Sequence, residues 1–510
     1  MMRHVLLTLC LVLCTELQAS HDLRIRAEDA EYQANQVLLI GHVEAEHNLG
    51  RLSAQRACIL SSPEQRQQCS LLQLFDQVEI DLAQGGALKC DRADIHLDAM
   101  SGHFRGGASE PFALYSDIRY SSSGKQIPLR ISSDLITVQI STDRTPAKPT
   151  PQHFLSHLVA QGSVAMHYGD AFQAYSDRAI YRDSDRGTAL EDDQLSGMIY
   201  LVPEGPTGTC EIRHVRGDHI TARLIRIDAD RENLFFDRPI GQVFFQDDDG
   251  MLDRISFQAE ALHWDEAKHL LKLQHEVELR DLGMGAMYAE EEVEVAFDQA
   301  SEEHEVLWIR AHGPTHLVFE DDEESQPRQL YCFGGGEVDN RSFQVQLKSP
   351  REDGVVPHDK QIRYKDAVGE AQADDVTVLY RYVENDLVPT KILIVGNVYM
   401  VNHAPFDPKD QTPVLQYAKA DAVEYDPEAQ EMLLIGKGRR VLFFDKLNNV
   451  QVRAPAIRMS RDKVTGKDSV QGIGDVRFRL IGKEMRDLLQ PFEKEAVAST
   501  RAETTQEVGL

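Results

Sequence analysis

The chain has 510 residues, enough for about three domains of ordinary size or one long repeat array. Apolar residues make up 42% of the sequence, which supports a sizeable core and excludes wholesale disorder. Acidic residues outnumber lysine and arginine by 83 to 54, and the formal charge of −29 argues against nucleic acid as a partner.

The N-terminus carries the parts of a secretory signal peptide. Arg3 precedes an apolar run of about ten residues from Val5 to Cys14. Ala19 and Ser20 provide the small residues typical of a cleavage site. The run is too short to span a bilayer comfortably. We predict a signal peptide over residues 1–20, with an uncleaved anchor or a lipoprotein site at Cys14 as alternatives.

Five cysteines follow the signal peptide, and an odd number leaves at least one free thiol or an intermolecular link. These residues are Cys58, Cys69, Cys90, Cys210 and Cys332. The first three lie close enough in sequence for one disulfide in an exported protein, but their spacing does not determine the pairing. No Cys-x-x-Cys occurs, which argues against a redox motif or a zinc ribbon.

Strict alternation of apolar and polar residues dominates the rest of the chain. The segments Val277 to Arg280 and Val476 to Leu480 show this alternation. It indicates strands with one buried and one solvent-exposed face. Turn signals such as Gly85-Gly86 separate these runs. Only Lys483 to Gln490 predicts a helix, ended by Pro491 and followed by a polar tail. The pattern favours an all-β sandwich, barrel or solenoid.

Three segments with the composition of linkers or loops interrupt the predicted strands. Residues 145–151 form a proline-rich linker, residues 320–327 an acidic loop, and residues 350–360 a loop within the last module. We therefore predict β modules over 22–143, 153–319 and 329–480, and a short helix with a flexible tail over 481–510.

A degenerate sequence repeat recurs along the chain: it consists of glycine, any residue and valine, followed later by a patch rich in alanine and aspartate. We interpret Gly-x-Val as the start of a strand, and clear copies begin at Gly41, Gly162 and Gly396. The patch is clearest at Ala420 to Tyr425, and Leu434 to Gly438 adds a Leu-x-Gly-x-Gly run.

With these phrases the sequence resembles the OstA-like family, the β-jellyroll of the periplasmic lipopolysaccharide transport proteins LptA, LptC and the N-terminal part of LptD. The resemblance covers residues 155–310 and 365–480 best, and residues 25–140 less closely. It implies V-shaped antiparallel sheets stacked end to end and an exported periplasmic protein, in solution or attached to the inner or outer membrane. The chain is longer than a typical LptA, and only about 30 residues follow Leu480, where LptD carries its membrane strands.

The resemblance also implies an apolar groove between two sheets that takes up acyl chains, with the sugar head group outside. We expect the groove to be lined by the valines after each glycine and by residues two positions further on. The candidates are Val43, Val164, Met166, Val398, Met400, Val441, Phe443, Val476 and Phe478. The alternative is that these residues fill a closed β core.

The charge is distributed unevenly. The segment from Glu431 to Leu480 contains 11 basic and 5 acidic residues. The segment from Ala286 to Glu324 contains 13 acidic residues and one basic residue, Arg310. A basic end and an acidic middle could orient a head-to-tail assembly or steer a partner, and two solvated faces are the alternative.

Sequence motifs for catalysis are absent. The chain has no phosphate loop, no His-Glu-x-x-His and no Gly-x-Ser-x-Gly, and Gly334 to Gly336 indicates a flexible turn. Pro314 forbids a helix that would bring His312 and His316 onto one face, and Asp247 to Gly250 is better read as a hairpin turn than as a calcium loop. We expect no catalytic residue, no metal and no cofactor.

These observations favour a periplasmic bridge that carries lipopolysaccharide or a related lipid towards the outer membrane. Its partners would be the lipid, other β-jellyroll transport components joined edge to edge, and a second copy of the chain. A structural or surface β-repeat protein of the envelope is the first alternative. An enzyme on a β-helix is the second.

Overall fold

The computed structural model describes residues 24–480. Within this range the residues outside the description are 34–35, 48, 62–68, 84, 121–123, 125, 144–151, 170–171, 183–197, 216, 229–230, 247–251, 282–284, 299–305, 320–326, 384–385, 404, 408–409, 414, 447–449 and 462–467. The predicted signal peptide, the proline-rich linker, most of the acidic loop, the turn at Asp247 and the helix after Lys483 lie outside the described residues.

Almost every described element is a strand. The first half contains β1 (Arg24–Arg26), β2 (Asp29–Gln33), β3 (Gln36–His47), β4 (Gly50–Ser61), β5 (Cys69–Leu82), β6 (Ala87–His96), β7 (Ser101–Arg105), β8 (Ala113–Tyr120), β9 (Gln126–Ser133), β10 (Leu135–Asp143), β11 (Gln152–Tyr168), β12 (Phe172–Arg182), β13 (Met198–Val202), β14 (Cys210–His214), β15 (His219–Ala222), β16 (Leu224–Asp228), β17 (Asn233–Asp237), β18 (Ile240–Gln246), β19 (Leu252–Gln258), β20 (Ala261–Asp265) and β21 (Leu270–Gln274).

The second half continues with β22 (Val277–Asp281), β23 (Gly285–Ala289), β24 (Glu292–Phe297), β25 (Val306–His312), β26 (Thr315–Phe319), β27 (Arg328–Cys332), β28 (Gly336–Asp339), β29 (Gln344–Lys348), β30 (Ile362–Lys365), β31 (Gly369–Ala373), β32 (Asp375–Val383), β33 (Asp386–Asn402), β34 (Pro405–Asp407), β35 (Asp410–Pro413), β36 (Gln416–Asp426), β37 (Glu431–Ile435), β38 (Val441–Asp445), β39 (Val450–Ala454), β40 (Ala456–Arg461), β41 (Asp468–Ile473) and β42 (Arg477–Leu480).

The helical content of the described residues is two 3₁₀ turns, Glu266–Lys268 and His358–Lys360. All the strand pairings with a resolved register are antiparallel, for example β9 with β11 and β39 with β42. The prediction of an all-β, antiparallel fold is therefore confirmed. No helix in the described part of the chain is long and apolar enough to cross a membrane.

The chain divides into two compact units. Unit 1 comprises Met1–Phe244 and Ser256–Leu271, and unit 2 comprises Phe245–Ile255 and Lys272–Leu510. The predicted three-module boundaries stay a prediction. Within unit 1, β10 and β11 pair antiparallel with Asp143 opposite Gln152, so the proline-rich linker connects two neighbouring strands.

Unit 1 is an antiparallel sheet folded along one line, which gives it two arms. Strands β9 and β10 show how, because they pair with the two halves of the same long strand, β11. We call the first arm, with β1, β8, β9, β14, β15 and β18, arm A. Arm B contains β2, β7, β10, β13, β16, β17 and β20, and strands β3, β4, β5, β6, β11 and β12 run through both arms.

Unit 2 has the same arrangement. Its arm A contains β22, β23, β26, β27, β30, β31, β38, β39 and β42. Its arm B contains β24, β25, β28, β29, β32, β37, β40 and β41. Strands β33 and β36 pass through both arms, since β33 pairs with β32 in its first half and with β31 in its second.

The recurring glycine phrases mark the line along which the sheet folds. Gly41, Gly162 and Gly396 have φ of 76°, 77° and 85°, and the residue after each glycine is also left-handed. The strand register shifts at the same three places in β3, β11 and β33. The interpretation of Gly-x-Val as a strand start is therefore wrong: the glycine lies inside a long strand, where its freedom at positive φ lets the strand bend.

A carboxylate residue packs over each of these glycines. The backbone N–H of Asp374 donates to the carbonyl of Gly396 at 3.0 Å, and the Asn397 side chain donates to the Asp374 carboxylate at 3.1 Å. Glu28 and Asp134 make the same backbone bond to Gly41 and Gly162. A Cβ on Gly396 would lie 2.6 Å from the Cβ of Asp374, so the corner admits no side chain there.

We expect Gly396→Ala to lower the free energy of unfolding by about 2–4 kcal/mol, because it adds a clash with Asp374 to the strain of positive φ. Gly438→Ala is the matched control, since Gly438 also has φ of 85° but a Cβ added there would meet no other atom within 4 Å. This control is expected to lose about 1–2 kcal/mol. Urea unfolding of the two variants provides the test, and equal losses would contradict the packed corner.

Candidate functional site

The interior between the arms is the candidate site, and four of the predicted residues lie at its floor. Val43, Val164 and Val398 follow the left-handed corner residues directly and are 1–2% exposed. Val441 begins β38 and is 0% exposed. These four valines are therefore packed against other side chains.

The other candidates lie further from the fold line. Met166 is 1% and Phe443 5% exposed, whereas Met400 is partly exposed. Val476 is partly buried against the core of unit 2. Phe478 belongs to the last described strand and is 66% exposed.

Cross-strand pairing brings three of these candidates into one row. The row runs Met400, Ala418, Phe443, Val452 and Phe478 through β33, β36, β38, β39 and β42 of arm A. Side chains opposite each other in this way are in contact across the sheet. Sequence reasoning named the residues but could not place them in one row, because that requires the register of five strands.

The two arms of unit 2 share one apolar cluster near the fold line. Val398, Val441 and Phe443 of arm A pack there with Leu434 and Ile457 of arm B, and the last two are 0% exposed. The inner faces of the two arms therefore meet at the corner, and the interior is dry at its base.

In unit 1 one complete row of the interior is buried. A cross-strand row in arm B has no member more than 8% exposed. It consists of Leu39, Ala57, Leu74, Ala93, Phe104, Ile136, Ala160, Ala179, Leu201, Ile225, Phe236 and Leu262. Large and small side chains occur together in the row, which suits close packing against the opposite arm.

A polar contact also joins the two arms of unit 1. The guanidinium of Arg119 in arm A lies 4.7 Å from the ring centroid of Tyr181 in arm B and donates to its hydroxyl at 3.2 Å. Asp117 balances the charge, with 3.1 Å between its carboxylate and Arg119 and a hydrogen bond from Tyr115 at 3.0 Å. Burial and the Asp117 charge raise the pKa of Tyr115, so its hydroxyl stays protonated and can donate.

We expect Arg119→Met to destabilise unit 1 by about 2–4 kcal/mol, because Asp117 is left largely buried without its cation. Arg178→Met on the exposed face of β12 is the matched control and should change stability by about 0.5 kcal/mol or less. Denaturant unfolding measures both variants. A double-mutant cycle with Tyr181→Phe should show coupling, and additivity would contradict contact between the arms.

Unit 2 differs from unit 1 in the part of the interior further from the corner. A second row of arm B, which we call the rim row, is apolar in every strand. It consists of Val295, Ile309, Val338, Val345, Val378, Ile392, Tyr425, Met432, Met459 and Val470. Val295 is 9% and Val470 39% exposed, and the eight residues between them are all partly exposed.

Arm A of unit 2 contains a matching row. It consists of Leu279, Met287, Leu317, Leu330, Tyr364, Ala371 and Met400, and every member is partly exposed. Both inner faces of unit 2 therefore carry an apolar stripe that is incompletely covered. Continuous half-exposed apolar surface of this kind marks a ligand or partner site more often than scattered single residues do.

The outer face of unit 2 holds a cluster with the composition of a metal site. Ligand atoms of Glu292, Glu294 and His312 lie within 4.8 Å of one another. Lys272 pairs with Glu294 and lies 3.9 Å from Glu292, and Arg310 lies 3.9 Å from Glu294. These two side chains already supply the positive charge that a metal would bring, so the cluster is a salt-bridge network.

The pKa of Glu294 is perturbed by this network. Burial alone would raise the pKa, but hydrogen bonds from Lys272 and His312 outweigh burial and hold it below the ordinary value of 4.5. Because the folded state favours the carboxylate, it gains stability above pH 4.5 and loses it as the pH falls through the lower folded pKa.

We expect Glu294→Gln to flatten the dependence of unfolding free energy on pH as the pH falls below about 4.5, relative to the unaltered chain. Urea unfolding at intervals across this range measures the slope. Glu290→Gln, an exposed acid in the same segment, is the control and should leave the slope unchanged. An identical slope for Glu294→Gln would contradict the lowered pKa.

The histidines and cysteines considered in the sequence lie in separate environments. His312 lies 3.3 Å from Glu294, whereas His316 stacks on Tyr331 with ring centroids 4.0 Å apart, so the two imidazoles face different partners. The cysteines with described side chains are all buried free thiols, namely Cys58, Cys90, Cys210 and Cys332. Burial raises the pKa of Cys90 and Cys210 to about 12, which keeps both thiols protonated and unreactive.

Comparison with known proteins assigns no family. No protein-family model matches the chain, and neither does any curated protein. The crystal structure of LptH, the LptA-homologous periplasmic component of the lipopolysaccharide transport device of Pseudomonas aeruginosa, is 10% identical and covers 32% of this chain and 100% of its own, with a TM-score of 0.23. The crystal structure of TcdB2-TccC3 without its hypervariable C-terminal region is 8% identical and covers 88% of this chain and 32% of its own, with a TM-score of 0.08. Similarities this low do not establish what the chain is.

Proposed function

We propose that this chain is an exported lipid-binding protein that holds the acyl chains of lipopolysaccharide or a related lipid between the arms of unit 2. In this proposal it carries the lipid across the periplasm without catalysis. The observation that supports it is the pair of half-exposed apolar rows on facing arms of one folded sheet. Each CH₂ group that leaves water for such a surface contributes about 0.8 kcal/mol.

The apolar rows suit an acyl chain better than a peptide. Strands β28, β29, β32 and β33 each pair with a neighbour on both sides, so their backbone groups are already satisfied. A bound peptide would need a free strand edge to pair with its own backbone groups. These four strands offer no free edge. An aliphatic chain makes no such demand.

Edge-strand stacking with another transport component is the proposed partner contact. Among the described residues, β1 pairs with β3, and β42 pairs with β39, each on one side. Arg24 and Arg26 lie on β1, and Arg477 and Arg479 lie on β42. Stacking two copies head to tail would bring these like charges together, so a component with an acidic edge fits better than a second copy.

Photo-crosslinking tests the proposal. A photoreactive residue at Val345, Ile392 or Met400 should label lipid, because these side chains belong to the half-exposed rows. Gln346 and Leu393 lie next to them on the opposite face and are the controls. Val398 and Val441, although predicted from sequence, are unsuitable positions because they are fully packed.

We expect lipid adducts from the three inner positions and a much lower yield from the two outer controls, because only the inner side chains face a bound acyl chain. The mass of the adduct distinguishes lipopolysaccharide from phospholipid. If folded, exported protein gives no lipid adduct at any inner position, the proposal is wrong.

The second candidate is a structural or surface protein of the cell envelope. The closed interior of unit 1, with its buried rows and the Arg119–Tyr181 contact, favours this function for that unit. Crosslinks that join arm A to arm B from the same inner positions, with no lipid, would support it.

A further inference from the structure

Three aromatic rings cluster at the rim of arm B in unit 2. Phe343 and Tyr382 are each 48% exposed, and Tyr380 between them is 4% exposed. The ring centroids are 5.7–6.3 Å apart, and all three pairs are edge to face: Tyr380 with Tyr382, Phe343 with Tyr380, and Phe343 with Tyr382. The two outer rings therefore present apolar surface to solvent from a fixed base.

Asn340 holds the cluster in place. Its side-chain oxygen accepts the hydroxyl of Tyr380 at 2.5 Å and that of Tyr382 at 3.4 Å. Its side-chain nitrogen donates to the carbonyl of Val306 at 2.7 Å. Strands β25 and β32 and the turn between β28 and β29 are thereby tied together, so the rings are preorganised.

Phe343 is exposed and also strained. It has φ of 52°, a left-handed conformation that costs about 1–2 kcal/mol for a side chain of this kind. Its carbonyl accepts the backbone N–H of Tyr380 at 3.0 Å, which maintains the conformation. The left-handed conformation belongs to the turn between β28 and β29. Packing within the unit does not cover the side chain that this turn presents, since Phe343 is 48% exposed.

The cluster continues the apolar rim row. Val345 and Val378 are opposite each other in that row. Tyr380 follows Val378 by two residues in β32, so it lies on the same face of the strand, one step nearer the rim. Phe343 comes two residues before Val345 and contacts Tyr380. Apolar surface therefore extends without interruption from the interior to solvent at this position.

We propose that Phe343, Tyr380 and Tyr382 form the port through which an acyl chain passes between solvent or a membrane surface and the interior of unit 2. This inference rests on the proposed lipid-binding function and adds where on the chain the lipid exchanges. Exposed ring faces receive the chain, and the tyrosine hydroxyls remain at the polar boundary, the arrangement that aromatic side chains adopt at membrane interfaces. The rim row then takes up the chain.

The test measures transfer of pyrene-labelled phosphatidylethanolamine from vesicles to the full-length protein. Phe343→Ser combined with Tyr382→Ser should slow uptake about tenfold while leaving the amount bound at equilibrium within about twofold, because the interior rows are intact. The matched control combines Ile118→Ser with Tyr120→Ser, an exposed apolar pair in β8 of unit 1, 54% and 59% exposed. This control should take up lipid at the unaltered rate.

One further variant and a circular dichroism control separate the port from folding defects. Tyr382→Phe keeps the ring and should retain the normal uptake rate, and all variants should keep the circular dichroism spectrum of the unaltered chain. Equal slowing by the control pair, or unaltered uptake by the port variant while inner positions still crosslink lipid, would overturn the port and leave lipid binding standing. Absence of both lipid adducts and vesicle transfer in the unaltered chain would overturn the port together with the proposed function.

Discussion

The fold depends on a single constraint: long strands must bend without losing the contact between their inner faces. In β3, β11 and β33 the bend is made by two consecutive left-handed residues, the first of which is glycine. In β3 and β11 the buried side chain before the corner and the one after it are four positions apart, as are Ala160 and Val164, so the bend leaves both facing inward. A packed carboxylate such as Asp374 then fixes the corner from outside.

Once the sheet is folded, the content of the interior depends on the side chains in the rows beyond the corner. Unit 1 fills that space with apolar rows, and Arg119 reaches across to Tyr181. Unit 2 also packs its corner, but it leaves the rim row of arm B and the matching row of arm A partly exposed. One chain thus contains a closed and an incompletely closed version of the same folded sheet. The closed version covers its apolar rows, whereas the other leaves apolar surface partly exposed.

Local sequence patterns were sufficient to predict the strands. Alternation is a property of a single strand, and β9 shows it fully, with every second residue from Ile127 to Ser133 buried. The same reasoning missed the role of the glycines, since a strand start and a bend inside a strand both place glycine before valine. Their positive φ decides between the two, and φ is set by the neighbouring strands.

The rows and the port could not be predicted in the same way. Val345 and Val378 are 33 positions apart in sequence, and each is an ordinary strand residue until pairing places them side by side. The port joins Asn340 to Tyr380 across a similar separation. Long-range register is determined by the summed packing of many strands, so no local window contains the signal. The alternation of Val376, Val378 and Tyr380 in β32 was the one local indication that an aromatic residue continued an inner row.

The negative charge of the chain constrains how it could hold an anionic lipid. A net charge of −29 disfavours close approach of phosphate groups, so head-group contacts are a poor source of affinity. The rim row of arm B and the matching row of arm A contain no charged residue. Attraction between an acyl chain and such an apolar surface does not depend on the sign of the protein charge. Binding energy would therefore come from the tails, and repulsion would keep the head group outside the arms.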